Sequence, residues 1–446
     1  MGKNNDTKQG RFRLIFGPIF MMTFTPVFAL TICAGCLRGS LASVLDDVSR
    51  SSNDSGSPLV KFFTAIGLAQ GLGSPTAWTI FVVFVASQLI VLKCVPGGEE
   101  EGVTATGRTP VYKTNGLASF FLTTTGYVLL SIVFGLFPAT ILYDNLLEIL
   151  WVAEIASIVL CLWLAVRKTS KPQTGTGTES ANEQISLLLK FYWGREVHPS
   201  VMGFELKQVT NCRFGMMIWP LIMISCMAKQ WEIYGYISNS MATAAFLQFA
   251  YLTKFFHWES GYMRTLDMMH DRAGYYICWG CMFYVPSIYP SPAMYLVRNP
   301  NSLPTLVVAA LVVSGLLCVG LNYQADWQKQ EVRKSDGRCL IWGEPPKVIR
   351  AKYTDENNVE HSQILLVSGW WGISRHFHYI PEILASLIWT LPCLFESGLP
   401  YFYVIYLTML LIDRTDRDDR RCLNKYKSYW KKYTEAVPYK MIPYIY

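Results

Sequence analysis

Apolar blocks about twenty residues long recur along almost the whole of this chain, and they constrain its fold more than any other feature. They run Leu14 to Leu37, Trp78 to Val95, Leu117 to Tyr143, Ile149 to Val166, Met216 to Cys226, Ile237 to Phe256, Ala273 to Val297, Leu303 to Leu321 and Ile383 to Ile412. Such a length matches a hydrocarbon layer about 30 Å thick at about 1.5 Å of helix per residue. Inside lipid the backbone must satisfy its own hydrogen bonds, and a helix does so within one segment. The last block is long enough for two spans, with a break at Glu396 to Pro400, and Leu59 to Leu72 is a Gly-interrupted further candidate. The expectation is an all-α, multi-pass integral membrane protein of about ten transmembrane helices forming a single bundle.

The remaining composition agrees. Hydrophobic residues make up 51% of the chain, well outside the soluble pattern. The net charge of +7 collects in the N-terminus, in 167–213, in 324–352 and after Asp413, which places those stretches on the cytosolic side. So many apolar blocks exclude nucleic acid as the partner of this basic surface and make the lipid bilayer its surroundings. The first block is too long for a signal-peptide core and has no A-x-A site, so it reads as a retained span. Cys33-x-x-Cys36 and Cys278-x-x-Cys281 lie inside apolar blocks with no second pair at zinc spacing, so no metal is expected.

Polarity divides the chain. Residues 1–167 form a front set of helices with few intramembrane charges, Glu148 and Glu154 being the exceptions. Residues 168–186, rich in Thr, Gly and Ser, read as a flexible cytosolic connector. Residues 187–446 carry Arg, His, Trp, Asp and Glu within or beside apolar segments, where each costs several kcal/mol unless paired or hydrated. An internal hydrogen-bond network explains any one of them; their convergence on one half points to a binding cavity. The last quarter is densest: LLVSGWWGISRHFHYIPE (Leu365 to Glu382), then an apolar segment, then DRTDRDDRRCLNKYKSYWKKYTEAVPYKMIPYIY (Asp413 to Tyr446). It reads as the wall of a pocket for an anionic ligand at a membrane surface.

These motifs carry a resemblance. DGRCLIWG (Asp336 to Gly343), LLVSGWWG with RHF (Leu365 to Phe377), LPYFY (Leu399 to Tyr403) and the tail pattern of Cys422, Lys425, Tyr426, Trp430, Tyr433 and Val437-Pro-Tyr439 resemble the sterol reductase family. Within that family they are most similar to the 7-dehydrocholesterol reductases. The resemblance spans about Leu187 to Tyr446 and, more loosely, the front helices. It implies a ten-span helical fold with a C-terminal NADPH pocket, a membrane sterol as substrate, and saturation of the C7–C8 double bond of a Δ7 (Δ5,7) sterol. It also implies the endoplasmic reticulum membrane in a eukaryote, or the cytoplasmic membrane in a bacterium.

The residues at the matching positions suit that chemistry. Lys329 and Arg333 stand one helical turn apart and can face one phosphate cluster. Arg414 and Asp418 repeat that spacing, Arg for pyrophosphate and Asp for ribose hydroxyls or for orienting the Arg. Tyr426 and Tyr433 share a helix face, and Trp371 with Arg375 can stack on or clamp a nicotinamide. A basic juxtamembrane tail reading anionic lipid is the plainer account of 414–432. An unactivated alkene accepts no hydride until one carbon is protonated, so a proton donor is needed in a dry cleft. Tyr251, Glu259 and Asp271 are the candidates, with Asp267, His270 and Trp279 as substrate contacts. Five positions depart from the family pattern: Lys254 and Cys281 stand where Asp is usual, His378 where Asn is usual, and Pro381-Glu382 where Gly-Asp is usual. These departures leave open a C14 or C24 sterol reductase on the same fold, and a catalytically inactive sterol-binding scaffold. An isoprenylcysteine-type methyltransferase shares the RHFHY-like element but not DGRCLIWG, and a transporter reading finds no inverted repeat.

Overall fold

A computed structural model describes residues 3–50, 57–67, 71–102, 109–167, 187–354 and 360–446. The expected connector at 168–186 lies outside them. The chain is mostly helical, in two compact units: Met1–Ala245 with Phe255–Ser302, and Phe246–Lys254 with Leu303–Tyr446.

The first unit contains α1 (Lys3–Arg38), α2 (Pro75–Cys94), α3 (Gly116–Val128), α4 (Leu146–Val166) and α5 (Met216–Tyr234). Local chemistry sets their limits. Ser74 caps α2 by accepting from the Ala77 amide at 3.1 Å, with Pro75 already fixed in helical φ. Gly235 closes α5 at φ 74°, a left-handed conformation that glycine adopts without a Cβ clash. Wide π turns extend α3 through Leu129–Val133 and precede α5 at Gln208–Gly215. The expected continuous block from Ala273 to Val297 is instead broken into short helices, because Pro286, Pro290 and Pro292 remove amide donors.

Helix α6 (Asn239–His257) runs through both units, and its residues 246–254 belong to the second. There it joins α7 (Thr305–Lys334), α8 (Tyr379–Thr390), α9 (Phe402–Tyr426) and α10 (Ser428–Ala436). Helix α8 packs against α7 and α9. The expected break between α8 and α9 is present, with short 3-10 turns at Leu391–Cys393 and Leu399–Tyr401.

Among the described residues six helical segments are long and apolar enough to cross a membrane: Phe16–Arg38, Pro75–Cys94, Gly116–Val133, Leu146–Val166, Gln208–Tyr234 and Thr305–Lys334. Tyr379–Cys393 is a shorter apolar helix. Three small antiparallel hairpins accompany the helices, which the all-helical expectation omits. They are β1 (Gly98–Glu101) with β2 (Val111–Thr114), β3 (Ser200–Val201) with β4 (Phe204–Glu205), and β5 (Val348–Thr354) with β6 (Glu360–Leu366). In the last, Val348 pairs with Leu366 and Thr354 with Glu360. Ala351 and Leu365 of this hairpin share a core with Cys422, Tyr426, Trp430, Tyr433 and Val437, which seats α9 and α10 on it.

Candidate functional site

The second unit gathers its polar residues along two helices. On α7, Asn322, Asp326, Lys329 and Arg333 follow one another at steps of four, three and four, which is one face of a helix. On α9, Arg414, Asp418, Arg421 and Lys425 repeat the same steps. Lys329 and Arg333 lie within electrostatic reach of Asp418, and Arg333 also of Tyr426 and Tyr433. Five cations thus stand on the two stripes, beside the two carboxylates Asp326 and Asp418. Arg421 donates to Asp418 at 2.8 Å, and His376 Nε2 approaches the same carboxylate at 3.9 Å. Burial opposes the Asp418 charge, but Arg421 and Lys329 hold its carboxyl below the usual range. Burial draws the Lys425 ammonium below its ordinary value, and Arg421 and Arg333 add repulsion. Like charges kept this close are what an anion site requires.

Aromatic faces line the same region. Lys329 Nζ sits 4.0 Å from the centre of the Trp371 ring, whose Nε1 donates to the Ala325 carbonyl at 2.7 Å. Lys425 lies 4.0 Å over Tyr353 and 5.3 Å over Tyr426. Tyr426 and Tyr433 are themselves buried against Trp430. Arg375 makes four side-chain hydrogen bonds. It donates to both Asp419 oxygens at 3.2 and 2.8 Å and to the carbonyls of Val437 and Pro438 at 2.8 and 2.9 Å. Its own amide and that of His376 bond the carbonyls of Tyr439 and Lys440. The structure therefore shows Arg375 strapping residues 437–440 to the unit. Burial drops His376 to about 3, so its ring is neutral there. A nearby groove of about 520 Å³ includes Asp416, Asp419, Arg420, Trp430 and Lys440. Its Asp416 Oδ1 accepts from Lys440 at 2.5 Å and from Tyr446 at 2.9 Å.

Between α6, α7 and α8 lies a second polar group. The Tyr251 hydroxyl donates to Glu382 Oε1 at 2.5 Å, and Tyr251 packs on Trp389 at 5.2 Å. Lys254 donates to Asn322 Oδ1, and Asn322 Nδ2 donates to the His378 carbonyl at 2.9 Å.

The other candidates fall in the first unit. Glu259 accepts from Arg213 at 2.5 and 2.9 Å, and Arg213 also donates to Asn115 at 2.8 Å. The main-chain carbonyls of Asp267, Met268 and Asp271 receive Lys207 Nζ at 2.8, 2.7 and 2.7 Å, while His270 ends the short helix between them. Burial pulls the Lys207 ammonium down to about 8 against the attraction of Asp271 and Asp267. Trp279 donates to Glu154, whose other oxygen accepts from Tyr275 at 2.8 Å, and its ring stacks between Tyr275 and Phe283. Sequence reasoning singled out neither Asn322, Arg421 and Lys425 as site residues nor Glu382 as the partner of Tyr251. The repeated four-three-four spacing was the available signal for the first three; nothing local marks the last.

Residues 18–446 match the profile described as the ergosterol biosynthesis ERG4/ERG24 family. The chain is 46% identical over 372 residues to a 7-dehydrocholesterol reductase of Arabidopsis thaliana, covering 83% of this chain and 85% of the relative. It is 36% identical over 375 residues to one from Xenopus laevis, covering 82% and 78%. It is also 32% identical over 386 residues to a Delta(14)-sterol reductase of Methylotuvimicrobium alcaliphilum, covering 84% of each.

Proposed function

The chain belongs to the ergosterol biosynthesis ERG4/ERG24 family and is a membrane sterol reductase, and from that premise we propose that it saturates the C7–C8 double bond of a Δ7 (Δ5,7) sterol such as 7-dehydrocholesterol, with NADPH as reductant. Two relatives named 7-dehydrocholesterol reductase, at 46% and 36% identity, favour that bond over C14, for which the relative named stands at 32%. The C14 alternative keeps the same cofactor and changes only the sterol.

The observation that supports the cofactor is the pair of stripes on α7 and α9. Lys329, Arg333, Arg414, Arg421 and Lys425 would hold its phosphates, and Asp418 would orient the guanidinium of Arg421 or accept from a ribose hydroxyl. The ring faces of Trp371 and Tyr353, each already beneath an ammonium, suit a flat heterocycle. When bound, a reduced nicotinamide supplies the hydride. The chain must itself supply a proton, because an isolated alkene accepts hydride only after protonation. We assign that role to Tyr251, which stands in the same unit as the cationic stripes, whereas both oxygens of Glu259 are taken by Arg213. Shorter apolar elements at 239–257, 273–297, 379–393 and 402–412 would complete about ten crossings. The membrane would be the endoplasmic reticulum in a eukaryotic cell and the cytoplasmic membrane in a bacterial one.

Membranes carrying the protein, incubated with NADPH and a mixture of Δ7, Δ14 and Δ24 sterols, test the reading by mass spectrometry. Loss of the Δ7 sterol alone is expected; loss of the Δ14 sterol instead would replace the C7 assignment. Arg333→Ala should weaken NADPH binding about 10- to 100-fold, the worth of one charge-assisted phosphate contact.

A further inference from the structure

Four residues that the cofactor reading leaves unused form a connected set inside the second unit. Tyr251 and Glu382 come from segments 131 residues apart and meet at 2.5 Å, the short end of the range for O–H···O contacts. Lys254 stands three residues after Tyr251, on the same side of α6, with its ammonium 5.7 Å from the centre of the Tyr251 ring. It holds Asn322, and Asn322 holds the carbonyl of His378, directly before the helix that carries Glu382. The ammonium therefore fastens the start of α8 and stands as the positive charge beside a carboxyl that is itself on a hydroxyl.

We propose that Glu382 is the proton reservoir behind Tyr251, and that Lys254 is the positioning residue that sets this pair for transfer. The inference rests on the reductase reading above and names the proton path within it. With its carboxyl protonated, Glu382 donates to Tyr251 Oη, and the phenolic O–H is released toward the alkene. The π pair of the alkene forms a new C–H bond with the phenolic proton. The electrons of the broken O–H bond stay on Tyr251 Oη, which takes the proton of Glu382. Glu382 is left as a carboxylate facing Lys254 and regains a proton from water, and NADPH, when bound, would supply the hydride that the carbocation accepts. The net change is one proton and one hydride added across the double bond, with NADPH oxidised to NADP⁺. The charged and titratable groups that act on Glu382 are Lys254 on α6, Asp326 on α7 and Arg414 on α9, besides its partner Tyr251.

The test uses the full chain in membranes, with NADPH and whichever sterol the wild type reduces. Glu382→Gln should lower kcat at least about 100-fold, the usual worth of a general acid, while the NADPH-induced thermal shift stays at the wild-type value. Glu382→Asp should restore part of the rate. An infrared band from a protonated carboxyl should be present in the wild type and absent in Glu382→Gln. The kcat of the wild type should fall as pH rises and Glu382 loses its proton. Lys254→Met should move that alkaline limb upward, since the carboxylate loses its counter-charge, and Lys254→Arg should return it. A Glu382→Gln protein within about threefold of wild-type kcat overturns the reservoir. An unmoved limb in a folded, NADPH-binding Lys254→Met protein overturns the role of Lys254. A wild-type chain that binds NADPH but reduces no sterol overturns the reductase reading and the relay together, whereas the first two results overturn the relay alone.

Discussion

Removing Glu259 separates two roles for one carboxylate. Arg213 and Glu259 form a bidentate pair at 2.5 and 2.9 Å with side chains 0% and 3% exposed. At an effective dielectric of about 20, unit charges about 4 Å apart attract by about 4 kcal/mol, while burial costs several kcal/mol for each ion. The pair as a whole is therefore near neutral for stability, but either half alone is a buried, uncompensated charge. Glu259→Gln and Glu259→Ala should each destabilise the protein by about 3–5 kcal/mol. Replacing both partners, Arg213→Met with Glu259→Leu, should cost less than either single change. What remains is about 1–3 kcal/mol for Asn115 Oδ1, which loses its donor from Arg213. The assay is the unfolding midpoint in detergent, read as a double-mutant cycle with sterol turnover measured alongside. A Glu259→Gln protein that keeps its midpoint yet loses turnover would refute this reasoning and make Glu259 a reacting group.

Gly116→Ala should unfold about 1–3 kcal/mol more easily, because its Cβ would collide with the Glu259 carboxylate and no cavity receives it; thermal unfolding measures this. Arg375→Ala should expose residues 437–440 to limited proteolysis and cost about 3–5 kcal/mol, since Asp419 then lies half-buried without its cation. Burial holds His376 at about 3 against an ordinary 6.5, so below pH 6.5 the unfolded chain takes up a proton that the folded chain refuses. Stability should fall with pH by up to about 1.4 kcal/mol per unit, about 2 kcal/mol by pH 5. His376→Asn should flatten that slope in acid-unfolding titrations.

Six membrane-length helices were legible because hydrocarbon thickness and backbone satisfaction leave few alternatives. So was the break near Glu396 to Pro400, whereas Pro286, Pro290 and Pro292 interrupt a block that reads as continuous. The hairpin β5–β6 was not legible. Its strand Val348 to Thr354 alternates apolar with Arg and Lys, and within a basic loop that pattern looks like charge alone. The charged pairs Lys329 with Arg333 and Arg414 with Asp418 were visible as single turns. Their extension to Asn322, Arg421 and Lys425 required reading whole faces, and Asn322 follows directly on an apolar block that hides it. Partners set by tertiary packing, Glu382 for Tyr251 and Arg213 for Glu259, leave no mark in local sequence at all.

The strap from Arg375 to residues 437–440 bears on how the protein is made. Membrane helices enter the bilayer in the order of synthesis, so the first unit can be largely in place while the ribosome is still working. The pair of Arg375 with Asp419 can form once α9 is made, but the contacts of Arg375 with Val437, Pro438 and Tyr439 must wait for those last residues. Closure of this unit therefore comes late in synthesis, and a chain ending before Val437 would lack the carbonyls that Arg375 holds.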